Sequence, residues 1–262
     1  MHNMLNIAIR AARKAGNFIA KSYERQDLCE IGKKGNKDFV KKVYREAERL
    51  IIEVINNYYP QHTVMSEECE ELVGSDSNVQ WMINGLDGTN NFIKRIPHFA
   101  VSIAGRNKGR TEIAVVYDPM RNELFSATLG QGAKLNSYRM RCCTYNDIDS
   151  TILATSFPLK PKQHLSSSIT LIKKLLLQCA DFRRTGSTAL DLAYVAAGRV
   201  DGFFAIGIKH WDFVGCELLT REAGCLFTDF TCVHNNLLYG NIVAGNPHVV
   251  KSILLMIREN IS

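Results

Sequence analysis

The sequence lacks the features that mark membrane proteins, zinc proteins and disulfide-rich proteins. Its 262 residues contain no apolar run near the ~18 residues that a transmembrane helix needs. Eight cysteines are present, but none forms a C-x-x-C pair, and we expect no signal peptide before them. We therefore expect a cytoplasmic chain with reduced thiols and no membrane partner.

Repeats, low-complexity stretches and long linkers are also missing. With 46% hydrophobic and 22% charged residues, the composition is that of an ordinary globular protein. The net charge of +6 is mildly basic and permits an acidic protein partner or RNA. No stretch interleaves aromatic and basic residues as a base-stacking surface would, so direct RNA binding is the least favoured function class.

Hydrophobic periodicity predicts helices over residues 3–24 and 43–58, followed mainly by strands up to about residue 141. Beyond that point strands and helices alternate, which is typical of an α/β layer. The segment DFRRTGST is predicted to be a loop, and residues 246–260 a final helix. We therefore predict an α+β half over 1–141 and an α/β half over 142–262, packed as one structural unit.

Three acids stand at similar structural positions. Glu67 follows the predicted strand HTVMS, Asp87 follows VQWMIN, and Asp212 lies near the start of a predicted helix. Carboxylates placed this way can converge on one cleft, and their oxygens suit Mg²⁺. Gly88 has no side chain, so a phosphate could approach the backbone there. Glu67 or Asp212 alone would more simply be a solvated or helix-capping acid, and the L-D-G-T turn is what favours a site.

Three segments resemble the inositol monophosphatase family. INGLDGTNNF resembles the family's D-P-x-D-G-T-x-N-F loop, and WDFVGCELLTREAGC resembles its second signature, W-D-x-A-A-G-x-x-L-x-x-E-A-G-G. SEE, at 66–68, matches the family's metal-binding acid segment. The resemblance covers essentially the whole chain. It implies a layered αβαβα fold, a homodimer or a monomer–dimer equilibrium, and Mg²⁺-dependent hydrolysis of phosphate monoesters such as inositol phosphates.

The resemblance also implies a set of site residues. The family's metal ligands fall on Glu67, Asn84, the carbonyl of Leu86, Asp87 and Asp212. Gly88 and Thr89 would hold the phosphate through a backbone N–H and a hydroxyl, while Arg183 and Asp212 would face the substrate. Glu67, Asp87 and Thr89 would be the catalytic residues.

Several positions depart from the family pattern. Asn84 stands where the family has the acid that bridges two metal ions, and Gly85 replaces a proline. In KDFVKKVYREAE, Lys41 and Tyr44 replace the family's Thr and water-positioning Asp. A tyrosine, with a pKa near 10, cannot act as a carboxylate base at neutral pH. Ala205 occupies the place of an acid that binds substrate hydroxyls.

Two function classes remain. One bacterial branch of the family, which DFRRTGS and GNIVAGNP resemble, is implied to act with Nus-type transcription factors and RNA polymerase in rRNA transcription antitermination and ribosome biogenesis. The altered residues favour that role, with weakened Mg²⁺ binding and weak or lost phosphatase activity. The alternative is an active Mg²⁺-dependent inositol-1-monophosphatase, in which water or Glu68 supplies the missing ligands. The Lys41 ammonium is also predicted to reach towards the acids.

Overall fold

The structure is a computed structural model that describes residues 2–25, 33–67, 72–144, 147–157, 165–232 and 240–259. Glu68 lies outside these ranges, so its predicted role as a substitute ligand is outside the described residues. Among the described helices, none combines the length and the apolar character needed to cross a membrane.

The first half of the chain builds a seven-stranded sheet whose spatial order follows the chain. β1 and β2 are parallel, and every later neighbour is antiparallel. The strands are β1 (His62–Ser66), β2 (Asp76–Asp87), β3 (Ala100–Asn107), β4 (Arg110–Asp118), β5 (Glu123–Thr128), β6 (Gly132–Leu135) and β7 (Tyr138–Met140).

Two long helices, α1 (His2–Glu24) and α2 (Lys33–Tyr58), cover one face of this sheet, and the short α3 (Thr89–Ile93) follows β2. The buried face of α1 consists largely of alanines, so the helix lies very close to the strands. At Gly16 an added Cβ would be only 2.6 Å from the ring of Tyr117. Small residues are therefore what allow α1 to pack against β4.

The second half builds a five-stranded mixed sheet in the order β11-β12-β10-β8-β9. Its elements are β8 (Ile152–Ser156), α4 (Leu165–Leu176), β9 (Asp181–Arg183), α5 (Thr188–Ala196), β10 (Gly202–Ala205), α6 (Val214–Glu222), β11 (Leu226–Thr228), β12 (Ile242–Gly245) and α7 (Pro247–Arg258). β8, β9 and β10 run parallel, and β12 pairs antiparallel with β10 and β11.

The five layers are defined by which residues share a buried cluster. Helices α5 and α6 lie between the two sheets, in a cluster to which both sheets contribute, and α4 and α7 cover the outer face of the second sheet. Adjacent residues of β10 show the alternation: Phe203 faces the central cluster, and Phe204 faces α4 and α7. The predicted αβαβα fold is confirmed, whereas the division at residue 141 stays a prediction.

Two of the sequence predictions for individual elements were wrong. α2 begins at Lys33, ten residues before the predicted start at 43. DFRRTGST is not entirely a loop, because Asp181–Arg183 form the edge strand β9 beside β8.

Asp212 lies in a single 3₁₀ turn, His210–Asp212, just before α6.

Candidate metal and phosphate site

The candidate site begins at an irregularity in β2. Asn84 pairs with Ser102 and Asp87 with Ala100, so β2 carries one extra residue between these two pairs. Such a bulge bends a strand and changes the direction of its side chains. Gly85 lies within it, against α2, where an added Cβ would be 2.7 Å from Cγ of Glu48.

The turn after the bulge requires a glycine. Gly88 has φ +89°, and an added Cβ would lie 3.0 Å from the carbonyl oxygen of His98. Thr89, half-buried, is the first residue of α3. The turn thus retains the local geometry that the D-G-T motif predicts, while the phosphate-binding roles of Gly88 and Thr89 stay predictions.

Asp87 is held by the start of α5. Its Oδ2 accepts hydrogen bonds from the Ser187 hydroxyl at 2.6 Å and from the Ala189 N–H at 2.8 Å. Ser187 is the N-cap of α5, so this carboxylate lies at the positive end of the helix dipole. Burial raises the pKa of Asp87, and the two hydrogen bonds oppose that rise.

The oxygen of Asn84 is already occupied by protein donors. The Tyr44 hydroxyl lies 3.1 Å from Asn84 Oδ1 and 3.3 Å from Glu67 Oε2, and the Leu86 N–H donates to Asn84 Oδ1 at 3.2 Å. Burial raises the pKa of Tyr44 far above its ordinary value, and the charges of Glu48 and Glu67 add to this effect. Tyr44 is therefore a neutral hydrogen-bond donor at the place where the family has a carboxylate.

Asp212 completes the group from the second half of the chain. Its Oδ1 lies 3.5 Å from Nδ2 of Asn84, at the outer limit of a hydrogen bond. Burial, followed by the charges of Asp87 and Glu67, raises the pKa of Asp212 to about 7. The acids therefore lie close enough to repel one another.

Lys209 supplies positive charge to this group, and sequence reasoning missed it. Its ammonium forms an ion pair with Glu67 and opposes the rise in the pKa of Asp212. Lys209 lies 142 positions from Glu67 in the chain, and no motif links the two residues. Only its place close before Asp212, in IGIKHWD, could have drawn attention to it.

Three further positions were singled out in the sequence, namely Arg183, Lys41 and Ala205. Arg183 is exposed and forms a 2.6 Å ion pair with Asp181, so its predicted contact with substrate stays a prediction. Lys41 is exposed on α2, and its predicted reach towards the acids also stays a prediction. Ala205 is fully buried at the end of β10.

Another buried acid, Asp191, lies near Asp87 and was not predicted. Burial raises the pKa of Asp191 to about 8, and the charge of Asp87 contributes. Its Oδ1 accepts a 2.7 Å hydrogen bond from Thr185, while Oδ2 is buried without a partner among the described residues. Of the two adjacent arginines in FRRTGS, Arg184 is the one whose charge reaches Asp191.

Several contacts of these residues compete with binding of a pair of magnesium ions. Carboxylate and amide oxygens are suitable ligands for Mg²⁺. Within the described ranges, however, no three His, Cys, Asp or Glu side chains form a group that could hold a metal ion. Lys209 pairs with Glu67, and the Asn84 oxygen accepts from Tyr44 and Leu86. The ligand assignments made from the resemblance therefore stay predictions.

The layered fold and the D-G-T turn at the end of β2 define a protein of the sugar-phosphatase fold class. The chain matches the model of the inositol monophosphatase family over residues 1–262, and it belongs to this family. It is 64% identical over 262 residues to a protein named Nus factor SuhB from Escherichia coli (strain K12), covering 100% of this chain and 98% of that one.

Solved structures agree with the assignment to this family. The extragenic suppressor protein SuhB from Bartonella henselae superimposes with a TM-score of 0.88 at 33% identity, covering 98% of this chain and 99% of that one. The inositol monophosphatase from Anabaena (Nostoc) gives a TM-score of 0.87 at 29% identity, covering 99% and 96%. The family therefore contains chains named for a transcription role and chains named for a phosphatase.

Proposed function

We propose that this chain acts as a Nus factor in the cytoplasm, with weak or lost phosphatase activity. Its role is to bind Nus-type transcription factors and the RNA polymerase complex in rRNA transcription antitermination and ribosome biogenesis. The observation that carries the proposal of weak or lost activity is that the side-chain oxygen of Asn84 accepts hydrogen bonds from Tyr44 and Leu86. The 64% identity to Nus factor SuhB supports the binding role. The proposal includes a homodimer or a monomer–dimer equilibrium.

The chemistry of the site argues against efficient hydrolysis. Two-metal hydrolysis needs ligands that hold both ions and a group that activates the attacking water. Asn84 brings no charge, Tyr44 donates a proton in its hydrogen bonds instead of accepting one, and Lys209 neutralises Glu67. The proposal leaves room for a single weakly bound Mg²⁺ at Asp87, Asp212 and the Leu86 carbonyl.

Two measurements on the purified chain test this function. We expect immobilised chain to capture Nus-type transcription proteins, and phosphate release from inositol-1-phosphate to stay at background with several millimolar Mg²⁺. Lithium, which inhibits the family's reaction, is the control for that assay. Turnover at an ordinary enzymatic rate of about 1–10³ per second would overturn the pseudoenzyme part of the proposal.

A triple variant provides the matched comparison. Asn84→Asp restores the bridging charge, and Tyr44→Asp with Lys41→Thr restores the family's water-positioning residues. We expect Asn84→Asp alone to give little activity and the water-positioning pair to give none. The combination should exceed the sum of the two, because residues that act as a unit are not additive. Capture of Nus-type proteins should be the same for all these variants.

The second candidate function is an active inositol-1-monophosphatase. It is favoured by the electrostatic contact among Glu67, Asp87 and Asp212 and by the retained Gly88–Thr89 turn. On this hypothesis Gly88 and Thr89 hold the phosphate and Arg183 faces the inositol. Asp87→Asn separates the two functions, because it would abolish phosphate release by an active enzyme and leave capture of Nus-type proteins unchanged.

A further inference from the structure

Two cysteines from distant parts of the chain meet between the two sheets, away from the candidate site. Cys142 follows β7, and Cys225 immediately precedes β11. The Cys142 N–H donates to the Ala223 carbonyl at 3.0 Å, so the two segments run side by side. A Cβ placed on Gly224 would lie 4.0 Å from the Cys142 sulfur. The Cys142 side chain is therefore directed at the turn that carries Cys225.

The two thiols differ in exposure. Cys225 is buried and Cys142 is half-buried, and both contact the central hydrophobic cluster. The Cys225 thiol has two acceptors within reach, the Val195 carbonyl oxygen at 3.8 Å and the sulfur of Cys142. Donation from Cys225 lowers the pKa of Cys142 to about 7, and the same bond together with burial raises the pKa of Cys225. An accessible thiol of lowered pKa beside a buried thiol is the arrangement of an attacking and a resolving cysteine.

We infer that Cys142 and Cys225 form a reversible disulfide by exchange with a small-molecule disulfide such as oxidised glutathione. The Cys142 thiolate attacks one sulfur of that disulfide, forming a mixed disulfide and releasing the other half as a thiolate. Cys225 then loses its proton and attacks the Cys142 sulfur, which releases the second half. Two protein thiols are oxidised, and one small-molecule disulfide is reduced to two thiols.

The surroundings of the other described cysteines favour this pair. The Cys143 sulfur lies 3.9 Å from the carbonyl oxygen of Asp201, the residue just before β10. Cys216 is fully buried on α6 beside the Ala189 carbonyl at 3.8 Å, and burial raises its pKa. Burial also raises the pKa of Cys179. Of Cys142, Cys179 and Cys216, only Cys142 has a lowered pKa.

The bond would link the end of the first sheet to the turn at the end of α6. It would close a loop of about 80 residues, and such a loop constrains the unfolded chain strongly. The melting temperature of the oxidised protein should therefore exceed that of the reduced protein by about 5–15 °C. The effect needs no metal and no substrate.

The test is peptide mapping of the full chain after exposure to defined ratios of reduced and oxidised glutathione. Trypsin leaves Cys142 with Cys143, and Cys225 with Cys232, on shared peptides. Mapping therefore uses the Cys143→Ser, Cys232→Ser background, after free thiols are alkylated. We expect a linked peptide pair that contains Cys142 and Cys225, together with the rise in melting temperature.

Single variants complete the test. Cys142→Ser and Cys225→Ser should each abolish the linked pair and the temperature shift, whereas Cys179→Ser, at a half-buried thiol, should change neither. If Cys225→Ser does not fold, Cys225→Ala replaces it, and the mapping itself needs neither variant. A stable glutathione adduct on Cys142 would overturn the inference. A linked pair that persists in Cys142→Ser would also overturn it, because the bond would then run through Cys143.

Discussion

At the scale of single residues, a substitution at Asn84 changes the charge of the candidate site. Asn84→Asp would place a further carboxylate beside Asp212, whose pKa the charges of Asp87 and Glu67 already raise. Without divalent cations we expect the variant to lose about 1–3 kcal/mol of stability, because the added charge is buried. Millimolar Mg²⁺ should raise the melting temperature of the variant to that of the wild type or above it. The melting temperature of the wild type itself should change little.

The control for this variant is a second buried asparagine. Asn91 donates to the carbonyls of His98 and Thr185 through Nδ2, at 2.8 and 2.9 Å. Asn91→Asp removes both donors and should also lower the melting temperature, but Mg²⁺ should not restore it. A wild-type protein that gains several degrees in Mg²⁺ over chelator would contradict the weak-binding proposal.

Asp191 and Asp212 give the stability a particular pH dependence. Burial raises their pKa values to about 8 and about 7, against about 3.9 in an unfolded chain. Between these limits the folded state holds more protons than the unfolded state, so stability falls as the pH rises from about 4 to about 8. Above that range, both states have lost these protons and the contribution no longer changes.

Asp191→Asn should flatten this dependence. The amide oxygen can still accept from Thr185 Oγ1, but the side chain no longer titrates. We expect the variant to lose about 1–3 kcal/mol less stability than the wild type between pH 5 and pH 8, measured by urea denaturation. Asp181→Asn is the control, because that carboxylate is exposed and Arg183 lowers its pKa. An equal slope for wild type and Asp191→Asn would show that Asp191 does not titrate in this range.

At the scale of elements, the position of α2 depends on Gly85. An added Cβ would lie 2.7 Å from Glu48 Cγ and 3.1 Å from the Tyr44 carbonyl oxygen. Gly85→Ala should therefore push α2 outwards and cost about 1–3 kcal/mol of stability. Gly85→Pro, which would restore the family residue, should cost at least as much because proline carries the same Cβ.

Gly215→Ala on α6 is the matched control for Gly85→Ala. There the nearest contact of an added Cβ is the Ser102 hydroxyl oxygen, at 3.1 Å, and a serine side chain can rotate away. Alanine is also favoured over glycine in a helix, by up to ~1 kcal/mol. Thermal melts should therefore show Gly215→Ala near or above the wild type. A similarly small effect of Gly85→Ala would mean that α2 is not held against the bulge.

Element types were predictable from the sequence wherever burial is periodic along the chain. α1 has a continuous buried face and was predicted almost to the residue. The first turns of α2, KKGNKDF, offer little apolar periodicity, so the early start of that helix had no sequence signal. β9 was missed because a three-residue edge strand depends on its pairing with β8, which is a tertiary contact.

The site was predictable in its residues but not in its contacts. Asp87 and Gly88 stand out because a glycine turn after a buried strand has a local signature. The hydrogen bond from Tyr44 to the Asn84 oxygen forms because α2 lies against the bulge in β2. The two residues are 40 positions apart in the chain. The ion pair of Lys209 with Glu67 brings the two halves of the chain together and likewise has no local pattern. Charge balance in a site is a property of the folded state.

At the scale of the whole molecule, the central hydrophobic cluster makes the two halves depend on each other. Phe125 of the first sheet and Phe203 of the second sheet are both fully buried in it, together with α5 and α6. Asp87 extends the connection, because it follows the first sheet and caps α5 through Ser187 and Ala189. Neither sheet can lose its partner without exposing this shared apolar surface to water.

We therefore expect the chain to unfold in a single transition, which Phe204→Ala can test. Phe204 is fully buried between the second sheet and the outer helices α4 and α7. Its truncation should cost about 3–5 kcal/mol and lower the melting temperature by about 10 °C. Trp81 is fully buried in the other outer layer, against α1 and α2, so its fluorescence reports on the far end of the molecule.

If the halves unfold together, the Trp81 transition shifts by the same amount as the helical signal from circular dichroism. Since Trp211 also fluoresces, the measurement is made in a Trp211→Phe background. Leu255→Ala, on the half-exposed side of α7, is the control and should shift neither signal appreciably. Two separate transitions, with the Trp81 signal unmoved by Phe204→Ala, would show that the halves unfold independently despite the cluster they share.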